Sequence, residues 1–236
     1  MGREGDLKHA AATLAGADGG GPAVGDGDAA DEGEAKAGAL GGVDEPVGAL
    51  GLDADEHFSF VMGPRLGVET DLIPDRLRDA PDDTLVEFRP GDQQVTDLLS
   101  RRFADQAGRA LFIDYGPARS EPGDTFQAIR GHEKADPLAA PGTADLTARV
   151  DFEQLGALAR TGGLDVDGPV EQGRWLKALG LEMRAAALMR SAPEKKSVIA
   201  RQVMRLTEPD QMGELFKVMT FSAQGLPKPP GFTGDG

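Results

Sequence analysis

The sequence predicts an α/β domain, and three observations lead to that prediction. Arg109–Asp114 is a nearly continuous apolar run that stops at Tyr-Gly-Pro, as expected of a strand buried on both faces. Before it, residues 94–107 space their apolar side chains as a helix does and end at Gly108. A second helix, with a natural N-cap at Asp151, precedes a predicted strand at residues 164–170. Such alternation is typical of α/β folds, whose ligands lie outside the carboxyl ends of the strands.

Composition limits the kinds of protein that the chain can be. It has 236 residues, a formal net charge of −15 and no cysteine. Disulfides, thiolate metal sites and cysteine nucleophiles are therefore excluded. The acidity disfavours a nucleic-acid binder, which neutralises phosphates with clustered Lys and Arg, and favours a basic partner. Since no apolar run approaches the roughly 20 residues that span a bilayer, we expect a soluble protein without a membrane span.

Three segments are predicted along the chain. Residues 1–48 contain no Phe, Tyr, Trp or Ile and are mostly Gly, Ala, Asp and Glu, so we predict a disordered acidic tail. Residues 49–232 are predicted to form the folded domain, and residues 233–236 a flexible end. The Pro- and Gly-rich stretch QGLPKPPGFTGDG, from residue 224 onward, is also predicted to be flexible.

The folded part is predicted to begin with two short strands and a helix. Apolar residues alternate from Phe58 to Met62, which predicts a half-buried strand, and residues 84–88 predict another. The helix at residues 94–107 is expected to cover the sheet with an apolar stripe formed by Val95, Leu98, Leu99 and Phe103. Residues 125–129 predict a further brief strand. The segment 136–149 predicts a turn-rich loop, in which Asp145 and Thr147 satisfy their own backbone.

Helices dominate the predicted C-terminal part. Asp151 and Gln154 form a variant of the capping box for a helix that ends at Gly162. Gly180 interrupts the next apolar pattern, so either two short helices or one kinked helix fits. A further helix is predicted over residues 193–206, with Val198, Ile199 and Val203 inward, and a strand over residues 215–221. The methionines of this region are predicted to fill the core: Met183, Met189, Met204, Met212 and Met219.

Motif searches exclude several chemistries. The three histidines, at positions 9, 57 and 132, are far apart in sequence and form no H-x-x-x-H, so no metal site is predicted. Neither a G-x-S-x-G elbow nor a phosphate-binding G-x-G-x-x-G is present. What remains is a set of polar residues on predicted turns: Asp114, Tyr115, Arg130, His132, Asp136, Asp145, Thr147 and Asp151.

These polar residues have a structural interpretation as well as a functional one. Turn and cap chemistry accounts for Asp145, Thr147 and Asp151, and a hydrogen-bonded structural histidine accounts for His132. Asp114 and Tyr115 end a predicted buried strand at the ligand edge of the sheet. For that pair, the sequence leaves a functional and a structural role equally open.

The motifs FIDYG, GDTFQAIRGH, DPL, PGTADLT and VDF, in this order and spacing, resemble the MidA-like family of S-adenosylmethionine-dependent methyltransferases. The resemblance extends over roughly residues 51–232, including GRWLKALGLEMRAAAL and MGELFKVMTFSAQG. It implies a class I methyltransferase fold, which is a mainly parallel, seven-stranded, Rossmann-like sheet with added helices. The chain is expected to hold the C-terminal part of that sheet, with Asp114 facing the catalytic cleft.

The resemblance also implies a function. Mitochondrial members of the family act as arginine methyltransferases in respiratory complex I assembly. S-adenosylmethionine is therefore the implied cofactor, and a basic protein, such as a complex I subunit, the implied substrate. The implied location is the cytoplasm of a bacterium or the mitochondrial matrix of a eukaryote. Asp114 and Tyr115 are the implied catalytic residues that position a guanidinium, and the implied substrate-binding residues are Gly116, Arg130, His132, Asp145 and Thr147.

Two segments of the family pattern have no counterpart in this chain. These are a Glu-x-Gly-x-Gly loop that holds the cofactor and an Asn-Glu-Phe-Phe-Asp-Ala-Leu-Pro stretch near the transferred methyl group. Residues 1–48 stand in their place, with a composition that out-of-frame reading of GC-rich DNA would also give. Arg149 stands where bacterial relatives commonly carry His. We therefore keep two hypotheses: a truncated methyltransferase-family protein without its first strands, and a non-catalytic fragment or degenerate relative acting as a protein-binding module.

Overall fold

The structure, a computed structural model, describes residues 10–13, 47–52, 57–63, 74–78, 80–81 and 84–232. Most of the predicted acidic tail and the end at residues 233–236 lie outside the described residues. Two parts of that tail differ from the prediction, because β1 (Ala10–Thr13) and the start of β2 (Val47–Leu52) are strands. Backbone pairing to neighbouring strands holds both, which a composition rich in Gly and Ala does not reveal.

The first sheet has four strands in the order β3–β2–β1–β4. The outer strands are β3 (Phe58–Gly63) and β4 (Leu85–Phe88), so both predicted early strands are confirmed. β1 runs parallel to β2 and to β4, whereas β2 and β3 are antiparallel. A one-turn helix, α1 (Asp75–Arg78), lies between β3 and β4 in the chain.

The central sheet has three strands in the order β5–β10–β9. They are β5 (Arg109–Tyr115), β9 (Asp165–Glu171) and β10 (Phe216–Ser222), and each was predicted within one or two residues. β10 is antiparallel to both neighbours, so β5 and β9 point in the same direction. The mainly parallel pairing that the resemblance implies is therefore not what these three strands show, because β10 returns between them in the opposite direction.

The core lies between this sheet and α3 (Phe152–Thr161). Phe152, Met219 and Phe221 are fully buried, and the ring of Phe221 lies 4.7 Å from that of Phe112 between centroids. The predicted helix start is confirmed, because the Asp151 side chain accepts a hydrogen bond from Gln154 N at 3.0 Å. A carboxylate N-cap of this kind stabilises a helix by about 1 kcal/mol.

β5 is covered on one face only, so the prediction of a strand buried on both faces is wrong. Phe112 packs against the core, but Leu111 and Ile113 are 50% and 44% exposed. In the part of the chain that the structure describes, β5 is an edge strand with β10 as its paired neighbour. When the residues on both faces of a strand are apolar, the sequence alone cannot show which face packs against another element.

Helix α2 (Pro90–Asp105) is confirmed as a helix, but its buried face differs from the predicted stripe. Val95 and Leu98 are 42% and 61% exposed, whereas Leu99 and Phe103 pack against the core. Thr96 is buried in place of Val95, and its hydroxyl donates to the backbone of Asp92 at 2.9 Å. Neighbouring positions differ by about 100° around a helix, so the buried face of α2 is rotated toward Thr96 from the predicted stripe. Thr96 can be buried because its hydroxyl is hydrogen-bonded.

A third, small sheet has the order β7–β6–β8. It consists of β6 (Gln127–Arg130), β7 (Glu133–Ala135) and β8 (Asp145–Thr147). The turn-rich loop predicted over residues 136–149 therefore contains a strand, and Asp145 and Thr147 are not turn residues. They pair with Ile129 and Gln127 of β6, which satisfies their backbone through the sheet instead.

The predicted helical region is confirmed as two short helices followed by a third. These are α4 (Gln172–Ala178), α5 (Leu181–Ser191) and α6 (Lys196–Thr207), with Gly180 at φ 84° between the first two. Val198 is 47% exposed rather than inward, and Met183 and Met204 are 77% and 58% exposed rather than core residues. Helix α5 packs mainly on α6, whereas α6 packs on α5, on α4 and on the segment Pro209–Gly213.

The segment after β10 is packed up to residue 232, contrary to the prediction of a flexible stretch. Phe232 is 6% exposed, and its ring lies 6.3 Å from that of Trp175. The guanidinium of Arg109 donates to the carbonyl oxygen of Pro227 at 2.5 Å. The buried ring of Phe232 can hold this Pro-rich segment in place, because proline residues lose little conformational entropy when the segment becomes ordered. Within the described ranges, no helix is long and apolar enough to cross a membrane.

Candidate functional site

The end of β5 presents the two residues that the sequence singles out most strongly. The backbone N–H of Tyr115 donates to Asp114 Oδ1 at 2.8 Å, which fixes one carboxylate oxygen. Successive strand residues point to opposite faces, so Asp114 lies on the face of Phe112, and Tyr115 on the other. The Tyr115 ring packs on Phe216, 5.9 Å away between centroids. The structure therefore separates the side chains of this pair.

Gly116 brings the segment before α3 onto the end of β5. A Cβ atom at this position would lie 2.0 Å from the carbonyl oxygen of Val150, a distance that no side chain tolerates. The N–H of Val150 in turn donates to the carbonyl oxygen of Tyr115 at 3.0 Å. The glycine in the Tyr-Gly-Pro turn is thus required by a close backbone approach, which also places the N-terminus of α3 beside this strand end.

A narrow cleft begins next to this turn. It encloses about 30 Å³ and is lined by residues from β4, from the loop after β5 and from the start of α3: Glu87, Arg89, Pro117, Glu121, Pro122, Thr125, Arg149 and Asp151. That volume is about the share of one water molecule in the liquid. A cleft of this volume has room for a small polar group, such as the terminal group of a side chain.

Two of the carboxylates at this corner already use both of their oxygens. Glu87 accepts from the backbone N–H of Thr125 at 2.7 Å and from its hydroxyl at 2.5 Å. Asp151 accepts from Gln154 N at 3.0 Å and from the Gln154 side-chain amide at 2.9 Å. These pairs tie the loop after β5 and the start of α3 to the site, so both carboxylates have structural roles.

The two remaining carboxylates are less occupied. Glu121 Oε2 lies 3.7 Å from Arg149 Nη1, in an exposed ion pair at the cleft. Asp114 has one oxygen held by Tyr115 N–H, and its Oδ2 has no hydrogen-bond or ion-pair partner among the described residues. Asp114 is half-buried. It therefore offers a fixed carboxylate with a free oxygen, as a cation-binding group requires.

Asp92, a half-buried acid at the start of α2, interacts electrostatically with two residues of this cleft, Arg89 and Asp151. Burial raises the pKa of Asp92 to about 6, the Arg89 guanidinium opposes that rise, and the charge of Asp151 adds to it. Arg89 Nη2 is itself buried without a hydrogen-bond partner among the described residues. Asp92 can therefore gain or lose a proton close to neutral pH.

An ion pair holds the loop after β5 against α3. The guanidinium of Arg76 donates to both oxygens of Glu153, at 3.0 and 2.5 Å, and to the carbonyl oxygen of Ser120 at 2.9 Å. Glu153 also accepts from Ser120 N at 2.7 Å. The hydrogen bond from Arg76 lowers the pKa of the Glu153 carboxyl, and burial partly opposes this change.

The other predicted site residues lie on the small sheet and not in the cleft. Gly131 and His132 form the β6–β7 hairpin turn with φ of 59° and 69°, and His132 is exposed. Arg130 lines a separate depression of about 260 Å³ together with Asp136. Asp145 is exposed and Thr147 half-buried, on β8. In the described part of the chain, no group of three His, Cys, Asp or Glu side chains could hold a metal ion.

Of the eight residues that line the cleft, only Asp151 was among the polar residues singled out from the sequence. The other seven were not predicted as site residues: Glu87, Arg89, Pro117, Glu121, Pro122, Thr125 and Arg149. Glu87 and Arg89 lie at the carboxyl end of β4, as Asp114 does at the end of β5. The strand-end argument used for Asp114 could have found both. Thr125 and Arg149 meet only through the fold, where the hydroxyl of Thr125 accepts from Arg149 N at 3.0 Å, so no local pattern predicts their contact.

Solved structures define the class of protein. A structure from Burkholderia thailandensis, bound to S-adenosyl-homocysteine and described as a methyl transferase, matches with a TM-score of 0.66 and 26% identity. The match covers 80% of this chain and 50% of that one. A second structure from the same organism matches with a TM-score of 0.65. The fold is therefore the α/β fold of these methyltransferases, as predicted.

Sequence comparison identifies the family. Residues 37–170, more than half of the chain, match the family of S-adenosyl-L-methionine-dependent methyltransferases, so the chain belongs to this family. Protein arginine methyltransferase NDUFAF7 of Homo sapiens, a mitochondrial protein, is 37% identical over 70% of this chain. The Drosophila melanogaster homologue is 43% identical over 52% of it. The chain spans 37% and 28% of the lengths of these two relatives.

The family depends on S-adenosylmethionine, and the described residues do not fit that cofactor. Small-molecule sites generally enclose about 300–1,000 Å³. The two clefts described here enclose about 30 and 260 Å³, and the larger lies on the small sheet, away from Asp114. The sequence also has no Glu-x-Gly-x-Gly loop. No reaction step through the cofactor is therefore derived from these residues.

Proposed function

We propose that the chain supplies the acceptor side of an S-adenosylmethionine-dependent protein arginine methyltransferase, and that Asp114 binds the guanidinium of the acceptor arginine. The observation that supports this most directly is the free oxygen of Asp114, on a carboxylate already oriented by Tyr115 N–H. In Glu87 and Asp151, by contrast, each oxygen already accepts a hydrogen bond from within the chain. Family membership supplies the reaction type, and the protein arginine methyltransferase relatives supply the acceptor.

A free carboxylate oxygen suits a guanidinium. A carboxylate binds a guanidinium through charge-assisted hydrogen bonds of fixed direction. Asp114 does not line the cleft itself, where the Arg149 guanidinium and Glu121 form an exposed ion pair with 3.7 Å between Nη1 and Oε2. Methyl transfer depends on alignment and on charge placed where it is needed. The contribution of Asp114 is therefore to orient the acceptor and to balance its positive charge.

The other predicted residues have supporting roles in this proposal. Tyr115 is a positioning residue, because its N–H holds Asp114 while its ring packs on Phe216. Gly116 leaves room for Val150 and so keeps the strand end next to α3. We assign contacts with the acceptor polypeptide beyond its reactive arginine to the side chains of the small sheet: Arg130, His132, Asp145 and Thr147.

The acceptor is proposed to be a basic protein, as the net charge of −15 favours. The relatives named as protein arginine methyltransferases are mitochondrial. If this chain comes from a eukaryote, we place it in the mitochondrial matrix with a respiratory complex I subunit as acceptor. If it comes from a bacterium, we place it in the cytoplasm.

A second candidate function is a non-catalytic protein-binding module. The misfit between the described clefts and the cofactor favours it, because acceptor recognition would then remain without methyl transfer. Both candidates predict binding of a basic protein. They differ in whether labelled methyl groups pass from S-adenosylmethionine to arginine when the chain and a basic protein are incubated together.

Isothermal titration calorimetry with an arginine-rich peptide, and with its lysine-substituted counterpart, tests the role of Asp114. The substitution Asp114→Asn should raise the Kd for the arginine peptide about tenfold or more, since a hydrogen bond between charged groups contributes roughly 1.5–3 kcal/mol. Asp105→Asn, at an exposed acid on α2, is the matched control and should leave Kd unchanged. Equal binding by wild type and Asp114→Asn, or equal affinity for the lysine peptide, would overturn the proposal.

A further inference from the structure

The helices α4 to α6 differ in charge from the rest of the chain. Residues 172–207 contain eight Lys and Arg against two Glu, a formal charge of +6, whereas the other 200 residues carry −21. All eight basic side chains are exposed. A protein with a net charge of −15 thus presents one basic helical region, and this separation is not needed for the proposed acceptor site.

On α5, exposed apolar and basic side chains share the outward face. Met183 and Arg190 are seven residues apart, or about two helical turns, and therefore lie on one stripe opposite the buried Ala185. Arg184 lies on one flank of the helix, about 100° from Met183, and Leu188 lies nearer to the buried face of Ala185. Met183 is 77% exposed and Leu188 is 38% exposed.

On α6, the arrangement repeats. Val198, Arg201 and Arg205 lie three and four residues apart on the outward face, next to Met204. Val198 is 47% exposed and Met204 is 58% exposed, whereas Thr207 is buried. We call the outward faces of α5 and α6, with Lys195 and Lys196 between them, the basic helical face. Over the described residues, no salt bridge neutralises its lysines and arginines.

We propose that the basic helical face docks on the surface of an anionic lipid bilayer. Exposed methionine and aliphatic side chains mixed with Lys and Arg are the composition of helices that lie at a membrane interface. Such a face combines insertion of apolar side chains with attraction to acidic headgroups. The remaining acidic surface tolerates this contact, because charges beyond about 8–10 Å are screened at physiological salt.

The shape of this face favours lipid over an acidic peptide. Peptides that bind helical proteins through apolar side chains lie in a groove. The two described clefts lie on residues 87–151, and neither includes a residue of α5 or α6. Exposed apolar and basic side chains that are spread over two helices suit a flat surface with mobile headgroups.

Co-sedimentation with sucrose-loaded vesicles tests this proposal. Vesicles of phosphatidylcholine with about 30% phosphatidylglycerol should bind the full chain, and raising NaCl from about 0.05 to 0.5 M should release it. Arg201→Gln with Arg205→Gln should lower the partition coefficient roughly 25-fold, at about fivefold for each charge. Met183→Ser with Met204→Ser should lower it as well, with the charge unchanged.

Matched controls separate this surface from general electrostatics and from folding. Arg101→Gln with Arg102→Gln removes two exposed charges from α2 and should leave the partition coefficient unchanged. Arg201→Lys with Arg205→Lys should retain binding, and circular dichroism should show all variants folded. Equal binding to pure phosphatidylcholine, equal losses in the α2 and α6 variants, or binding to polyglutamate in place of vesicles would each overturn the proposal.

Discussion

The core around β10 and α3 and the pair α5–α6 are both built from apolar residues at regular spacing, but they use them differently. Phe152, Met219 and Phe221 are fully buried, whereas Met183 on α5 is 77% exposed and Met204 on α6 is 58% exposed. The difference arises because α3 lies on a sheet, whereas α5 and α6 pack mainly on other helical segments. Periodicity therefore predicts that a helix forms, but a packing partner decides which of its apolar residues are buried.

The largest expected effect contrasts the two regions directly. Phe221→Ala should lower the free energy of unfolding by about 3–5 kcal/mol, because it removes a fully buried ring next to Phe112 and leaves a cavity. Met183→Ala on α5 should change it by less than about 0.5 kcal/mol. Urea denaturation measures both. Similar losses of unfolding free energy in the two variants would show that Met183 is buried and that the two regions do not differ in packing.

Backbone packing at the strand end provides a second contrast. Gly116→Ala should cost more than about 2 kcal/mol, because its Cβ would meet the Val150 carbonyl oxygen at 2.0 Å. Gly91→Ala, on α2 with open space around it, should be neutral or stabilise by up to about 1 kcal/mol. Thermal and urea unfolding check both values. A tolerated Gly116→Ala would contradict the close approach of the segment before α3.

The buried acid of α2 should make stability depend on pH. The pKa of Asp92 is raised to about 6 in the folded chain, above the 3.8 of the unfolded chain, so folding favours its protonated form. This contribution is present below pH 3.8 and is lost as the pH rises through 6. Asp92→Asn should therefore gain about 2–3 kcal/mol over wild type between pH 4 and pH 7.5. If the difference in stability between Asp92→Asn and wild type did not change with pH, the pKa of Asp92 would not be raised in the folded chain.

The smallest effect concerns the ion pair that holds the loop to α3. The pKa of Glu153 is lowered, so its stabilisation is present above the unfolded pKa of 4.5 and is lost as the pH falls through the folded value. Since the pair is about one-third exposed, Glu153→Gln should cost only about 1 kcal/mol near pH 7 and little at about pH 3. Glu194→Gln, at an exposed acid on the helical side, should show neither effect. An equal loss of stability in the Glu153→Gln and Glu194→Gln variants would show that the ion pair with Arg76 does not stabilise the fold.

Local sequence signals predicted much of the fold. The cap at Asp151, the break at Gly180 and the strands at residues 109–115 and 216–222 are each formed by short-range chemistry. Burial could not be predicted in the same way. Which face of α2 is buried depends on its contact with α3. The packing of Phe232 depends on Trp175, which is more than 50 residues away in the sequence.

The candidate site was predicted in part. Asp114 was singled out because it ends a strand, and its functional role stays a prediction. Glu87 was treated only as part of the short strand predicted over residues 84–88, and Arg89, which follows that strand, was not singled out. Thr125 and Arg149 come together through tertiary contacts that a single sequence does not encode locally. His132 has a chemically suggestive side chain, but its φ of 69° marks a hairpin turn.

We propose that this chain carries the acceptor side of a methyltransferase fold without a cofactor cleft of its own among the described residues. Titration calorimetry of the purified, folded chain with S-adenosyl-homocysteine tests this proposal. We expect no measurable heat of binding, because the described clefts enclose only about 30 and 260 Å³. Binding with a Kd of about a micromolar, or 8 kcal/mol of binding free energy, would contradict it and show that the chain forms the cofactor site by itself.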